Sequence, residues 1–129
     1  MNLDALRKQI DAIDSKLVAY LNKRSEITLK IRNVKKRLGK GIYSPEREWQ
    51  VLARLRKLNR GPLTKEALET IYREIMSSAL SLEKPLRIAY LGPEATFTQI
   101  AAIKKFGRQL EYLPCDSISD VFKEVERQN

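Results

Sequence analysis

The sequence predicts an all-α segment of three helices over residues 1–84, paired with a second copy through its first helix, and then an incomplete α/β stretch of βαβα order over residues 85–129. Three observations predict this. Apolar side chains recur every three or four residues from Leu3 to Leu38, with no Pro or Gly among them. Ser44-Pro45 and Thr64 are helix-start signals, and each is followed by apolar residues at helical spacing. After Pro85 the pattern changes to short apolar runs at 86–91 and 110–113, which read as strands.

The seam of the first helix reads Leu3, Leu6, Ile10, Ile13, Leu17, Tyr20, Arg24, Ile27, Ile31, Val34 and Leu38. At 1.5 Å per residue such a helix spans roughly 50 Å, longer than a compact domain of this size needs. A partner helix must therefore cover the seam, and a second copy of the chain is the expected partner. Asn2 is placed to cap the helix, Asp4 and the Lys35-Lys36-Arg37 run suit its dipole, and Gly39-Lys40-Gly41 stops it. Ser44 as N-cap, Pro45 at N1 and acids in the first turn start the second helix, which is expected to turn Trp49, Leu52, Leu55 and Leu58 inward and to end before Gly61-Pro62. Thr64 starts the third, whose stripe runs from Leu68 to Leu82 and ends near Glu83.

Beyond Pro85, a buried strand over 86–91 is followed by a turn at Gly92-Pro93. A helix from Thr96 or Thr98 to about Phe106 is ended by Gly107. A second strand covers 110–113, and a last helix from Asp116 or Ser117 runs to the end. Two strands cannot bury both faces of a parallel sheet, so residues 85–129 read as the truncated start of a larger α/β domain.

Composition removes several kinds of chemistry. The 129 residues include no His and one Cys, which excludes a Cys/His metal site, an intrachain disulfide and imidazole acid–base catalysis. No apolar run approaches 18 residues and no signal core follows the N-terminus, so neither a membrane partner nor secretion is expected. Residues 1–84 carry 19 of the 25 Lys/Arg and 10 of the 16 Asp/Glu, so the whole net charge of +9 belongs to them. Such a surface attracts nucleic acid or a small polyanion.

Three cations lie on or beside the seam. Arg24 is on it, and Arg7 and Lys35, a whole number of heptads apart, share a flanking stripe. An unpaired charge at a buried seam position is costly, so Arg24 calls for an anion. Arg24 and Lys35 are separated by roughly 16 Å of helix rise, which long side chains close around one small ligand. Arg7 and Arg24 are separated by roughly 26 Å, which no metabolite bridges within one helix. If all three touch one ligand, Arg7 comes from the other chain. The alternative is that Arg7 and Lys35 are solvated flanks with packed stems. The basic run Lys30, Arg32, Lys35, Lys36, Arg37 and Lys40 reads as a solvated helix end. No aromatic residues interleave it and no recognition motif accompanies it, which disfavours nucleic acid.

Arg7, Arg24, Lys35 and Ser44-Pro45-Glu46-Arg47-Glu48, spread over three helices of these lengths, resemble the all-helical chorismate mutase family. The stretch Leu82-Glu83-Lys84-Pro85-Leu86-Arg87-Ile88-Ala89-Tyr90-Leu91-Gly92-Pro93-Glu94-Ala95-Thr96-Phe97-Thr98-Gln99 resembles the junction into a prephenate dehydratase domain. Together they resemble the bifunctional chorismate mutase–prephenate dehydratases of phenylalanine biosynthesis. The resemblance implies a cytoplasmic, cofactor-free isomerase that converts chorismate to prephenate in an intertwined homodimer. It implies that Arg7 of one chain and Arg24 of the other hold the two carboxylates, and that Lys35 donates to the ether oxygen and a carboxylate. Glu48 accepts from the ring hydroxyl, Ser44 assists there, Arg47 supports the site, and Glu83 is the second donor to the ether oxygen.

Three positions depart from the family. Ser44 stands where Asp is frequent, Ala79 where a serine contacts substrate, and Glu83 where some members have Gln. A carboxyl donates only when protonated, so Glu83 predicts activity that falls with rising pH. The dehydratase's catalytic Thr-Arg-Asp motif does not occur here, so no dehydratase turnover is expected, and Ala95 stands where that family's first loop usually has Gly. The other readings are a basic module that binds nucleic acid and a non-catalytic dimerisation segment.

Overall fold

The structure, a computed structural model, describes residues 2–41, 43–83, 87–93 and 96–127. The expected linker at Lys84-Pro85, the strand start at Leu86, Glu94-Ala95 of the loop and the last two residues lie outside the described residues. The chain divides into two compact units, Met1–Lys40 and Gly41–Asn129.

The first unit is one helix, α1 (Leu3–Leu38). The Asn2 side chain accepts from the amide of Ala5 at 2.7 Å, satisfying one of the first-turn donors. Gly39 ends the helix at φ 67°, a left-handed conformation that costs glycine nothing, and its amide and that of Lys40 return to the last-turn carbonyls. Thr28 is the helix's one buried residue, and its hydroxyl donates to the Arg24 carbonyl at 3.1 Å. The apolar seam is exposed from end to end: Leu3 by 60%, Ile13 by 57% and Leu38 by 63%.

The second unit has its own core. Helices α2 (Pro45–Leu58) and α3 (Lys65–Glu83) pack together around Leu52, Met76 and Leu80. Arg56 pairs with Glu69 across them at 2.5 Å, and the Asn59 side chain closes the connection on the Leu63 carbonyl at 2.9 Å. The amides of Arg47 and Ala67 donate to Ser44 and Thr64, so both residues act as caps.

Trp49 is a correction. It is 69% exposed, and Leu58 is exposed too. The less exposed stripe of α2 runs Glu48, Val51, Leu52, Leu55 and Asn59. At the first turn it is therefore a carboxylate, not the indole, that faces α3.

Strands β1 (Arg87–Leu91) and β2 (Glu111–Cys115) pair in parallel, from Arg87 opposite Glu111 to Leu91 opposite Cys115. Tyr90, Leu110 and Cys115 are buried around them. Helix α4 (Phe97–Phe106) is capped by Thr96 and α5 (Ile118–Glu126) by Ser117. The second strand extends past the expected 110–113 through Pro114 and Cys115. Phe97, Ile118, Phe122 and Val125 are exposed, as two strands too few for a complete sheet would leave them.

Helix α3 also grips the α4–β2 connection. The amide of Arg108 donates to the Glu74 carboxylate at 3.0 and 3.2 Å, and that of Gln109 to the Ser77 hydroxyl at 3.2 Å. Gly107, at φ 79°, lies directly on Ser77: a Cβ there would come within 2.5 Å of the serine Cβ. Tyr112 donates to the Gly107 carbonyl, and burial and then the Glu74 charge push its phenol up to about 12.

Candidate active site

Three of the expected site residues are on α1. Arg7 is exposed, while Arg24 and Lys35 are half-buried. Because α1 is unbroken, Arg7 and Arg24 of one chain stay roughly 26 Å apart along its axis. One chain cannot close both guanidinium groups on a single small ligand.

Four are in the second unit. Ser44 is half-buried, and its hydroxyl oxygen accepts from the Arg47 amide at 3.3 Å, which leaves its proton available for another acceptor. Arg47 is exposed in the first turn of α2. Glu83 closes α3 and is only 8% exposed. Glu48 has the most elaborate surroundings. Its side chain is 15% exposed, and Oε1 lies 3.2 Å from Nη1 of Arg73 on α3. The Tyr43 hydroxyl hydrogen-bonds to it, and Lys105 on α4 adds a second positive charge. Burial pushes the Glu48 carboxyl above its ordinary range, and Arg73, Lys105 and Tyr43 pull it back. Burial and the Glu48 charge raise the Tyr43 phenol in turn, against Arg73. The Tyr43 ring meets Phe106 edge-on, with centroids 5.5 Å apart.

Ser44, Arg47 and Glu48 are thus gathered at one helix start, and Tyr43 and Arg73 join them. Sequence reasoning passed over Arg73 and Tyr43. A signal for Arg73 was present: Arg73, Met76, Leu80 and Glu83 are spaced three, four and three apart, so a cation sits on the apolar stripe of α3. Tyr43 gave none, since a residue in a connection has no periodicity to read.

The chorismate mutase type II family model matches residues 6–84. The chain belongs to that family. The prephenate dehydratase model matches residues 88–129. A bifunctional chorismate mutase/prephenate dehydratase of Aquifex aeolicus is 45% identical over 128 residues, covering 96% of this chain and 35% of the relative. That of Pseudomonas aeruginosa is 47% identical over 128 residues, covering 95% and 35%. The chain therefore spans about a third of the length of the curated relatives it matches. Among solved structures, a chorismate mutase of Thermus thermophilus aligns with a TM-score of 0.62 at 32% identity, over 64% of this chain and 93% of that one. Membership of the mutase family thus rests on the helical residues, and the strands carry a second likeness. No helix among the described residues is long and apolar enough to cross a membrane.

Proposed function

We propose that the chain is a chorismate mutase, an isomerase that rearranges chorismate to prephenate as a cytoplasmic homodimer. Residues 1–84 form the mutase domain, and residues 85–129 are the opening of a prephenate dehydratase domain. One observation carries the reading: a single unbroken helix bears Arg7, Arg24 and Lys35 along an apolar seam that the chain leaves exposed. A second copy covers the seam, and the intertwined pair brings Arg7 of one chain to the site of the other.

The rearrangement is pericyclic. One C–O bond breaks as one C–C bond forms, with no nucleophile and no obligatory proton transfer. Catalysis then consists of holding the folded conformer and stabilising negative charge on the departing ether oxygen. Arg24 and the partner copy's arginine at position 7 clamp the two carboxylates as charge-assisted pairs. Lys35 donates to the ether oxygen, where charge grows only in the transition state, and Glu83 is the second donor there. Glu48 accepts from the ring hydroxyl, with Ser44 and Arg47 beside it. A chain with no His can do all of this.

The test follows chorismate absorbance after protein is added. Loss of the diene signal at a rate proportional to protein supports the reading. An unchanged signal from a folded dimer refutes it and leaves the dimerisation segment. DNA binding that weakens steeply with salt would favour the nucleic-acid module instead.

A further inference from the structure

The Glu48 carboxylate is turned inward at the first turn of α2, among three groups that come from three different places in the chain. Arg73 reaches it from α3 at 3.2 Å, the Tyr43 hydroxyl donates from the connection before α2, and Lys105 adds positive charge from α4. The pair is not a surface ornament, since the side chains are 15% and 30% exposed. An isolated pair on an open surface contributes little, because two long side chains must be held still in water. Here each partner is fixed by packing. Arg73 shares the α3 stripe with the buried Met76 and Leu80, and Glu48 shares the α2 stripe with the buried Leu52.

A carboxylate has two oxygens and about four lone-pair positions. Arg73 engages Oε1. That contact restrains the carboxylate and leaves acceptor positions for a further donor. We propose that Arg73 is a positioning residue of the mutase site, holding the Glu48 carboxylate ionised and oriented, with Tyr43 beside it, as the acceptor for the ring hydroxyl of the substrate. The inference rests on the mutase reading and deepens it. It also gives the α4 segment a part in the site, because the Lys105 charge acts on Glu48 and the Phe106 ring packs edge-on against Tyr43.

The electrostatic direction agrees. Burial alone favours the neutral carboxyl, which is a poor acceptor, and Arg73 is the largest influence acting against it. Tyr43 donates to the charged form, and Lys105 acts in the same sense.

The experiment measures kcat and KM across pH for wild type, Arg73→Gln, Arg73→Lys, Glu48→Gln and the Arg73→Gln/Glu48→Gln double variant, with thermal melts of each. Arg73→Gln is expected to lower kcat/KM roughly ten- to a hundredfold, the scale of one hydrogen bond to a charged group. Its acid limb should move to higher pH, because the carboxylate loses a cation. Arg73→Lys should restore part of the loss and most of the limb. Glu48→Gln should remove the limb, and adding Arg73→Gln to it should cost little more, because both act through one contact. An active wild type whose Arg73→Gln variant keeps its kcat/KM and its limb overturns this inference alone, as do single losses that multiply in the double variant. If Arg73→Gln does not fold, Arg73→Lys decides by its limb. A wild type that leaves chorismate untouched removes the mutase reading and this one together.

Discussion

Helix α1 and the unit Gly41–Asn129 solve the problem of apolar surface in opposite ways. The 36 residues of α1 bury one, Thr28, and display an apolar seam along their whole length. The second unit buries Leu52, Met76, Leu80, Tyr90, Leu110 and Cys115 within itself and ties its elements with side-chain bonds such as Arg56–Glu69 and Glu74–Arg108. A short isolated helix is marginal in water, and a long one gains its stability from packing an apolar face. The first unit is therefore stable only to the extent that something covers it, whereas the second carries part of its stability in its own chain. The proposed site would divide the same way. On that reading Arg7, Arg24 and Lys35 depend on a second copy, while Ser44 and Glu48 are set within the second unit by a local cap and by Arg73.

The largest expected effect tests the assembly-dependent half. Arg24→Ala should reduce kcat by roughly a thousandfold, the scale of removing one preorganised group from developing charge, with dimer and melting temperature unchanged. A variant with near wild-type turnover would place Arg24 outside the site. Next, Ile13→Asp puts a charge into the seam of both copies at once and should weaken the dimer by roughly a hundredfold or more by sedimentation. If the oligomeric state does not move, the seam is not the interface.

The self-contained half breaks differently. Gly107→Ala forces a side chain into φ 79° and against Ser77, and should destabilise the second unit by about 2–4 kcal/mol. The readout is a lower melting temperature. An unshifted melt would mean that α3 does not hold the α4–β2 connection as described.

The smallest effect is on pH. Burial places the Glu48 carboxyl above its usual range, and its acceptor form is the ionised one. Activity should therefore fall as pH drops through that raised pKa, so the acid limb of kcat/KM lies higher than an exposed carboxylate would give. Loss of ionised Glu48 also relieves a buried charge, so acid in that window should not weaken the fold on this account. Glu48→Gln should abolish the limb. A limb that survives belongs to another group.

Much of this division is legible in the sequence alone. The apolar spacing of α1 showed both the helix and its unmet need for cover, because a seam of that length has no room to fold back. Asn2, Ser44, Thr64 and Ser117 announced helix starts through cap chemistry that is local in sequence. Trp49 and Leu58 share a strict three-residue spacing with Leu52 and Leu55, which drifts around a helix, whereas the four- and three-residue steps from Glu48 to Leu52 and Leu55 follow the stripe and put Glu48 inward. The grip of Glu74 and Ser77 on Arg108 and Gln109 joins positions more than thirty residues apart, and no local pattern signals it. For the same reason Arg73 was visible only as a charge on an apolar stripe, and its partner was not.

Mixing two inactive variants tests the central claim most directly. Arg7→Ala and Arg24→Ala are each followed alone and then together after subunit exchange, by loss of chorismate absorbance. If each site takes Arg24 from one chain and Arg7 from the other, half the mixed dimers are hybrids with one intact site in two. The mixture should then recover about a quarter of wild-type activity, the statistical value for a twofold dimer, while each variant alone stays silent. A mixture as silent as its components, beside an active wild type and with exchange demonstrated, would contradict a site shared between two copies.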